Sequence, residues 1–209
     1  MLTLHHLNNS RSQRILWLLE ELGCDYRIQS YQRDAQTNLA PPELAQIHPL
    51  GKSPLLVDGE AVIAESGAIV NYLTSRYSSS ALVIPSPEDA DYYQYDSWLQ
   101  FSEGSAMLPF LLALYTGRLG DAAAPIQPRI QSEITNHLHY MSLALGNDQY
   151  FFRNTLSGAD IMLSFVLEVA HFSGALKPYA NLTETLKLYQ SRPSYQQALA
   201  KGGPYAYGA

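Results

Sequence analysis

Three short clusters hold most of the chemistry this chain can offer. Ser10, preceded by Asn8 and Asn9, stands where an opening strand gives way to a helix. A hydroxyl, side-chain amides and free backbone N–H groups can all donate there to a negatively charged atom. Glu65-Ser66 opens a later helix and sets a carboxylate acceptor beside a hydroxyl donor. Between the two, Lys52-Ser53-Pro54 introduces a strand, where a proline suits an edge and the lysine adds positive charge. Each cluster also has a plain structural use, with Ser10 and Ser66 as helix N-caps, Glu65 as a complement to the helix dipole and Lys52 as a solvated surface charge.

Other chemistries lack their residues. His5 and His6 have no carboxylate at metal-ligand spacing, so they read as ordinary strand residues and no metal is expected. The single cysteine, Cys24, follows Gly23 at the far end of the first helix, away from Ser10. It reads as a buried small residue, not a nucleophile, and any thiol chemistry must use a thiol brought from outside. The formal net charge of -6 splits into 6 basic against 8 acidic residues up to Tyr77 and 7 against 11 beyond, so nucleic-acid binding has no electrostatic basis. Uncharged stretches such as residues 104–117 are broken by Gly and Pro, well short of the roughly 20 apolar residues of a membrane span. Met1-Leu-Thr-Leu-His-His lacks the charged and apolar regions of a signal peptide, and a cytoplasmic location is expected.

Those clusters must be positioned by the elements around them. Residues 2–7 alternate imperfectly as a strand, and Ile15, Leu18, Leu19 and Leu22 follow the spacing of an amphipathic helix that Gly23 closes. Tyr26 to Tyr31 alternates again. Pro41-Pro42-Glu43-Leu44 starts a short helix ended by His48-Pro49-Leu50-Gly51, and Asp58-Gly59 joins Pro54-Leu55-Leu56-Val57 to Ala61-Val62-Ile63 as a hairpin. A helix from Glu65-Ser66-Gly67 to about Tyr77 completes the order βαβαββα, whose natural solution is a mixed four-stranded sheet. Residues 78–88 have linker composition, and residues 89–209 read as an all-helical second domain. Its clearest signals are one stripe of Ile130, Ile134, Leu138, Met141 and Leu145, a second of Met162, Phe165, Val166 and Val169, and a capping box at Ser157-Gly-Ala-Asp160 stapled by Leu156 and Ile161.

The segments Asn9-Ser-Arg-Ser-Gln-Arg-Ile-Leu-Trp-Leu-Leu-Glu-Glu-Leu22, Ala40-Pro-Pro-Glu-Leu44, His48-Pro-Leu-Gly-Lys-Ser-Pro-Leu-Leu56 and Ala64-Glu-Ser-Gly-Ala-Ile69 together resemble the cytosolic glutathione S-transferase family, especially its fungal and bacterial branch. Their succession within about 70 residues makes the resemblance specific, although in the second half it rests on the capping box and helix count. It implies a thioredoxin-like domain over residues 1–77 and an α-helical domain that supplies an electrophile pocket. The implied activity is conjugation of glutathione, a co-substrate, to hydrophobic electrophiles. Glutathione-dependent peroxidase or disulfide reductase activity, or a non-catalytic glutathione-binding role, are alternatives on the same fold. Detoxification and a homodimer are the family expectations.

The resemblance also assigns roles. Ser10 matches the catalytic serine of some family types, with Asn9 and Asn8 as alternative donors to the sulfur. Pro54 corresponds to a cis proline that turns the Ser53 backbone toward the cysteinyl portion of glutathione. Glu65 and Ser66 receive the γ-glutamyl ammonium and carboxylate, and Lys52, with Arg11, suits the glycyl carboxylate. Phe110, Leu111, Tyr115, Phe172, Tyr205 and Tyr207 are candidates for the electrophile pocket, each also at home in a core or on a surface.

Overall fold

In the computed structural model, which describes residues 1–208, the first elements are β1 (Leu2–Leu7), α1 (Ser12–Leu22), β2 (Tyr26–Tyr31), α2 (Leu44–Ile47), β3 (Leu55–Asp58), β4 (Ala61–Ala64) and α3 (Ser66–Thr74). This is the βαβαββα order the sequence predicts. The sheet order is β2-β1-β3-β4, with β1 parallel to β2 and the other pairs antiparallel. Gly23 ends α1 at φ 63, a left-handed conformation that costs a residue without Cβ little, and lets the N–H groups of Gly23 and Cys24 return to Glu20 O and Leu19 O. The hairpin forms where expected, but Asp58 still pairs with Ala61, so the loop is Gly59 and Glu60.

By compactness the chain divides into two units, Met1–Ile84 together with the segment from Gln190 onward, and Pro85–Tyr189. In the first, α1 packs on β1, α3 and α9 (Pro193–Gly202). Burial of α1 is therefore wider than the predicted stripe: Leu16 and Trp17 are as buried as Ile15 and Leu18, because α9 covers the face the sheet leaves open. Helix α9, which lies in the stretch the sequence assigns to the helical domain, packs on α1 within the first unit; residue 209 lies outside the described residues.

The second unit contains α4 (Tyr92–Phe101), α5 (Leu108–Thr116), α6 (Gln127–Leu145), α7 (Gly158–Phe172) and most of α8 (Ala180–Ser191). The five stripe residues of α6 are its buried ones. Helix α7 is buried on nearly all sides rather than along one stripe, as befits the central helix of a bundle, with Val169 half-buried. Its capping box is formed: Asp160 accepts the Ser157 N–H at 2.9 Å and Ser157 Oγ accepts the Ala159 N–H at 3.2 Å.

Candidate functional site

Strand pairing sets His5 opposite Leu55 and Leu55 opposite Ala64. The C-terminal end of β1, the start of β3 and the end of β4 therefore share one end of the sheet. The chain at those ends carries residues 8–11, 52–54 and 65–66, so the fold brings the three polar clusters together within one unit.

The turn after β1 is built from side chains as much as from backbone. Asn9 sits at φ 49, a left-handed conformation asparagine tolerates. Ser10 is 5% exposed; its hydroxyl donates to Leu7 O at 2.8 Å and accepts the Ser12 N–H at 3.2 Å, so it caps the helix start as well as facing the turn. Ser12 Oγ lies 2.8 Å from Ser10 Oγ and 2.8 Å from His6 Nδ1. Burial holds the His6 imidazole below its ordinary pKa, opposed by a hydrogen bond to the Gly202 backbone. Asn8 Oδ1 accepts the Arg33 N–H and Asn9 Oδ1 accepts the Ala206 N–H, both at 2.8 Å. Among the described residues, the Asn9 NH2 and the Ser10 backbone N–H have no partner.

The neighbouring clusters leave complementary groups open. Ser53 Oγ is spent on β1, donating to His5 O at 2.8 Å and accepting the Leu7 N–H at 3.2 Å. The Ser53-Pro54 peptide is cis. Glu65 precedes α3 at φ 68, unusual for a non-glycine residue, and its carboxylate is exposed and without a partner among the described residues. Ser66, 3% exposed, begins α3, and its hydroxyl has no partner among the described residues either. Lys52 is exposed and Arg11, immediately before α1, is half-buried. One end of the sheet thus offers donors for two or more anionic groups and one acceptor for a cation.

The pocket candidates fall in both units. Tyr205 and Tyr207 flank Ala206 in the first unit, with ring centroids 5.5 Å apart, and so lie at the Asn9 turn. In the second unit Phe110 is buried, Leu111 half-buried, and Tyr115 and Phe172 exposed at 57% and 65%. Cys24 is half-buried, and burial, aided by Asp25, pushes its thiol up to about 11, which suits an inert residue.

Sequence reasoning missed four contributors. Arg33 reaches Asn8 O at 3.2 Å, Asn9 O at 3.3 Å and Asn38 O at 3.0 Å, pinning the turn from the loop after β2. Ser12 and His6 fix the Ser10 side, and Ala206 fixes Asn9. An arginine amid polar loop residues gives no local signal of such contacts, nor does the alanine at position 206.

A family model described as the glutathione S-transferase N-terminal domain matches residues 1–75. The chain is 35% identical to glutathione S-transferase 3 of Schizosaccharomyces pombe, over 96% of its own length and 88% of that protein's. It is 32% identical to glutathione S-transferase 1 of Saccharomyces cerevisiae, over 96% and 95%. Among solved structures, a glutathione S-transferase from Actinobacillus pleuropneumoniae superposes with a TM-score of 0.89 at 35% identity, covering 99% of this chain and 94% of that one.

Proposed function

This chain belongs to the glutathione S-transferase family, and on that premise we propose that it ionises glutathione at the turn after β1 and transfers it to hydrophobic electrophiles. The supporting observation is the convergence of unpartnered groups at one sheet end: the Asn9 NH2, the Ser10 N–H, the Ser66 hydroxyl and the Glu65 carboxylate. Glutathione carries a matching set of one ammonium, two carboxylates and a thiol. Glu65 pairs with the ammonium, while Ser66 and the N–H groups opening α3 take the γ-glutamyl carboxylate. The Ser53 backbone pairs with the cysteinyl unit by strand addition, and Lys52 with Arg11 takes the glycyl carboxylate.

A free thiol near pKa 8.5 is only about 3% ionised at neutral pH. Lowering that value by about two units takes roughly 2.7 kcal/mol, within reach of one or two charge-assisted hydrogen bonds. The Ser10 hydroxyl can supply one by turning from Leu7 O to the sulfur. It forfeits a bond worth about 1 kcal/mol for one worth roughly 1.5–3. Ser12 Oγ, 3.2 Å from Leu7 O, is placed to replace it. Positioning and thiolate stabilisation then carry the reaction.

Following thiolate absorbance of bound glutathione against pH in wild type, Ser10→Ala and Asn9→Ala tests the reading. A midpoint well below that of free thiol in wild type, raised in at least one variant, supports it. A bound thiol that ionises as it does in water in all three defeats it. Tyr205 and Tyr207 are the first pocket residues to test with aromatic electrophiles. A homodimer acting in cytoplasmic detoxification accompanies this reading, and a 23.3 kDa particle in sedimentation at micromolar concentration would remove the dimer.

A further inference from the structure

We propose that the C-terminal tail is a positioning element for glutathione's sulfur: the Ala206 backbone N–H holds the Asn9 side-chain carbonyl so that the Asn9 NH2 faces the thiolate. The inference rests on the reading that the thiolate forms at the turn after β1. A primary amide is nearly symmetric in shape but opposite in function at its two ends, since one accepts and the other donates. Turned one way, Asn9 attracts an anion; turned the other, its carbonyl repels it. The 2.8 Å bond from Ala206 occupies the carbonyl and so selects the attractive orientation. The left-handed backbone at Asn9 and the Arg33 bond to Asn9 O fix the main chain from which that side chain projects.

The tail is held independently of any ligand. Arg192 and Ser194, at the start of α9, bind Glu21, and Lys201, near its end, binds Glu20. Gly202 lies against Gln13 and Leu16 of α1. Beyond it Gly203, at φ 81, redirects the chain, and the Tyr205 and Tyr207 rings meet edge to face on either side of Ala206. Ala206 therefore reaches Asn9 from a segment tied to the same helix that the turn begins. Preorganising the amide in this way spares the bound state the cost of selecting one of two orientations.

The experiment compares Ala206→Pro, which removes the N–H and fixes φ at that position, with Ala206→Gly, which keeps the N–H, and with Asn9→Asp, which keeps an acceptor for Ala206 but exchanges the donor for a negative charge. A chain ending at Tyr205 removes the same N–H by another route, in case the proline variant does not fold. Each is titrated for the ionisation midpoint of bound glutathione and for affinity to S-methylglutathione, which has no thiol and reports the rest of the site. The proposal expects Ala206→Pro, the truncated chain and Asn9→Asp to raise the midpoint by about one unit. Affinity for S-methylglutathione should stay within about twofold in Ala206→Pro, and Ala206→Gly should retain the wild-type midpoint. Loss of both readouts together in the proline variant and the truncated chain would make the tail merely structural, and an unchanged midpoint in both would dismiss it. A midpoint raised by Ser10→Ala and untouched by Asn9→Asp would overturn the role of Asn9 while leaving the thiolate reading intact. A wild-type midpoint equal to that of free thiol would instead remove the underlying reading.

Discussion

Arg192 grips Glu21 through two nitrogens, Nε on Oε1 at 2.5 Å and an Nη on Oε2 at 3.0 Å, closing a loop of 171 residues. Ser194 Oγ and the Trp17 indole N–H donate to the same carboxylate. Burial drives the Glu21 pKa up, but the hydrogen bonds from Arg192, Ser194 and Trp17 outweigh it and hold the group below its ordinary value. A carboxylate depressed in the folded state contributes stability above its unfolded value and loses it as pH falls through the lower folded one. This cluster joins the end of α1 to the start of α9, and with it the tail to the sheet.

Arg192→Ala is expected to cost about 3 kcal/mol, since breaking a buried pair from one side leaves a carboxylate poorly compensated. Trp17 reports the loss directly. In a Trp98→Phe background, leaving Trp17 as the sole tryptophan, the urea midpoint should fall. Glu21→Gln with Arg192→Met should recover much of it. Equal midpoints for Arg192→Ala and wild type would show that the ion pair carries no net stability.

Asp160 has the opposite sign. Burial raises it to about 6, against the Tyr189 hydroxyl, the Phe151 N–H and the Ser157 hydroxyl and N–H, all of which favour its charged form. Its contribution is therefore complete below about pH 4 and is lost as pH rises through about 6, a change on the order of 3 kcal/mol. Denaturant midpoints between pH 4 and 7 should carry this falling component, and Asp160→Asn should flatten it. Asp160→Ala strands buried donors from Ser157, Phe151 and Tyr189, so a loss of at least about 3 kcal/mol is expected. Trp98, whose ring meets Phe151 at 5.1 Å, is the local probe.

What the sequence disclosed was what neighbouring residues decide. Gly23 at a helix end, the Asp58-Gly59 corner and Ser157 three residues before Asp160 are short-range devices, and each forms close to where it was read. The burial of Leu16 and Trp17 was not legible, because it depends on α9 returning from the far end of the chain. Nor were the partners of the turn. His6 reads as one more strand residue until Ser12 and Gly202 lie against it, and nothing local marks Arg33 as the clamp on Asn8 and Asn9.

Arg33→Ala should loosen the turn without dismantling the sheet. The side chain serves three carbonyls that solvent can also satisfy, so a stability loss of about 1 kcal/mol is expected. Glutathione affinity measured by calorimetry should fall about tenfold, because the ligand must then order the turn itself. Arg33→Lys should recover little, since a single ammonium cannot span three acceptors in the geometry of the guanidinium fork. Undiminished affinity in Arg33→Ala would remove Arg33 from the site.

Two adjacent glycines separate crowding from backbone strain. A Cβ on Gly202 would stand 2.8 Å from Gln13 Oε1, 2.9 Å from Leu16 Cδ1 and 3.4 Å from His6 Nε2, whereas one on Gly203 would meet nothing within 4 Å. Gln13 and Leu16 are 1% and 0% exposed, so neither can swing away into solvent. Gly202→Ala should therefore destabilise by about 1–3 kcal/mol through overpacking, more than the roughly 1 kcal/mol alanine gains in a helix. Gly203→Ala should cost about 1–2 kcal/mol by a different route, its φ of 81. A double-mutant cycle distinguishes them: Leu16→Val shortens the side chain facing Gly202 and should relieve Gly202→Ala by at least about 0.5 kcal/mol, while adding independently to Gly203→Ala. If Leu16→Val couples equally to both, the close approach of α9 to α1 is not what holds the glycine at position 202.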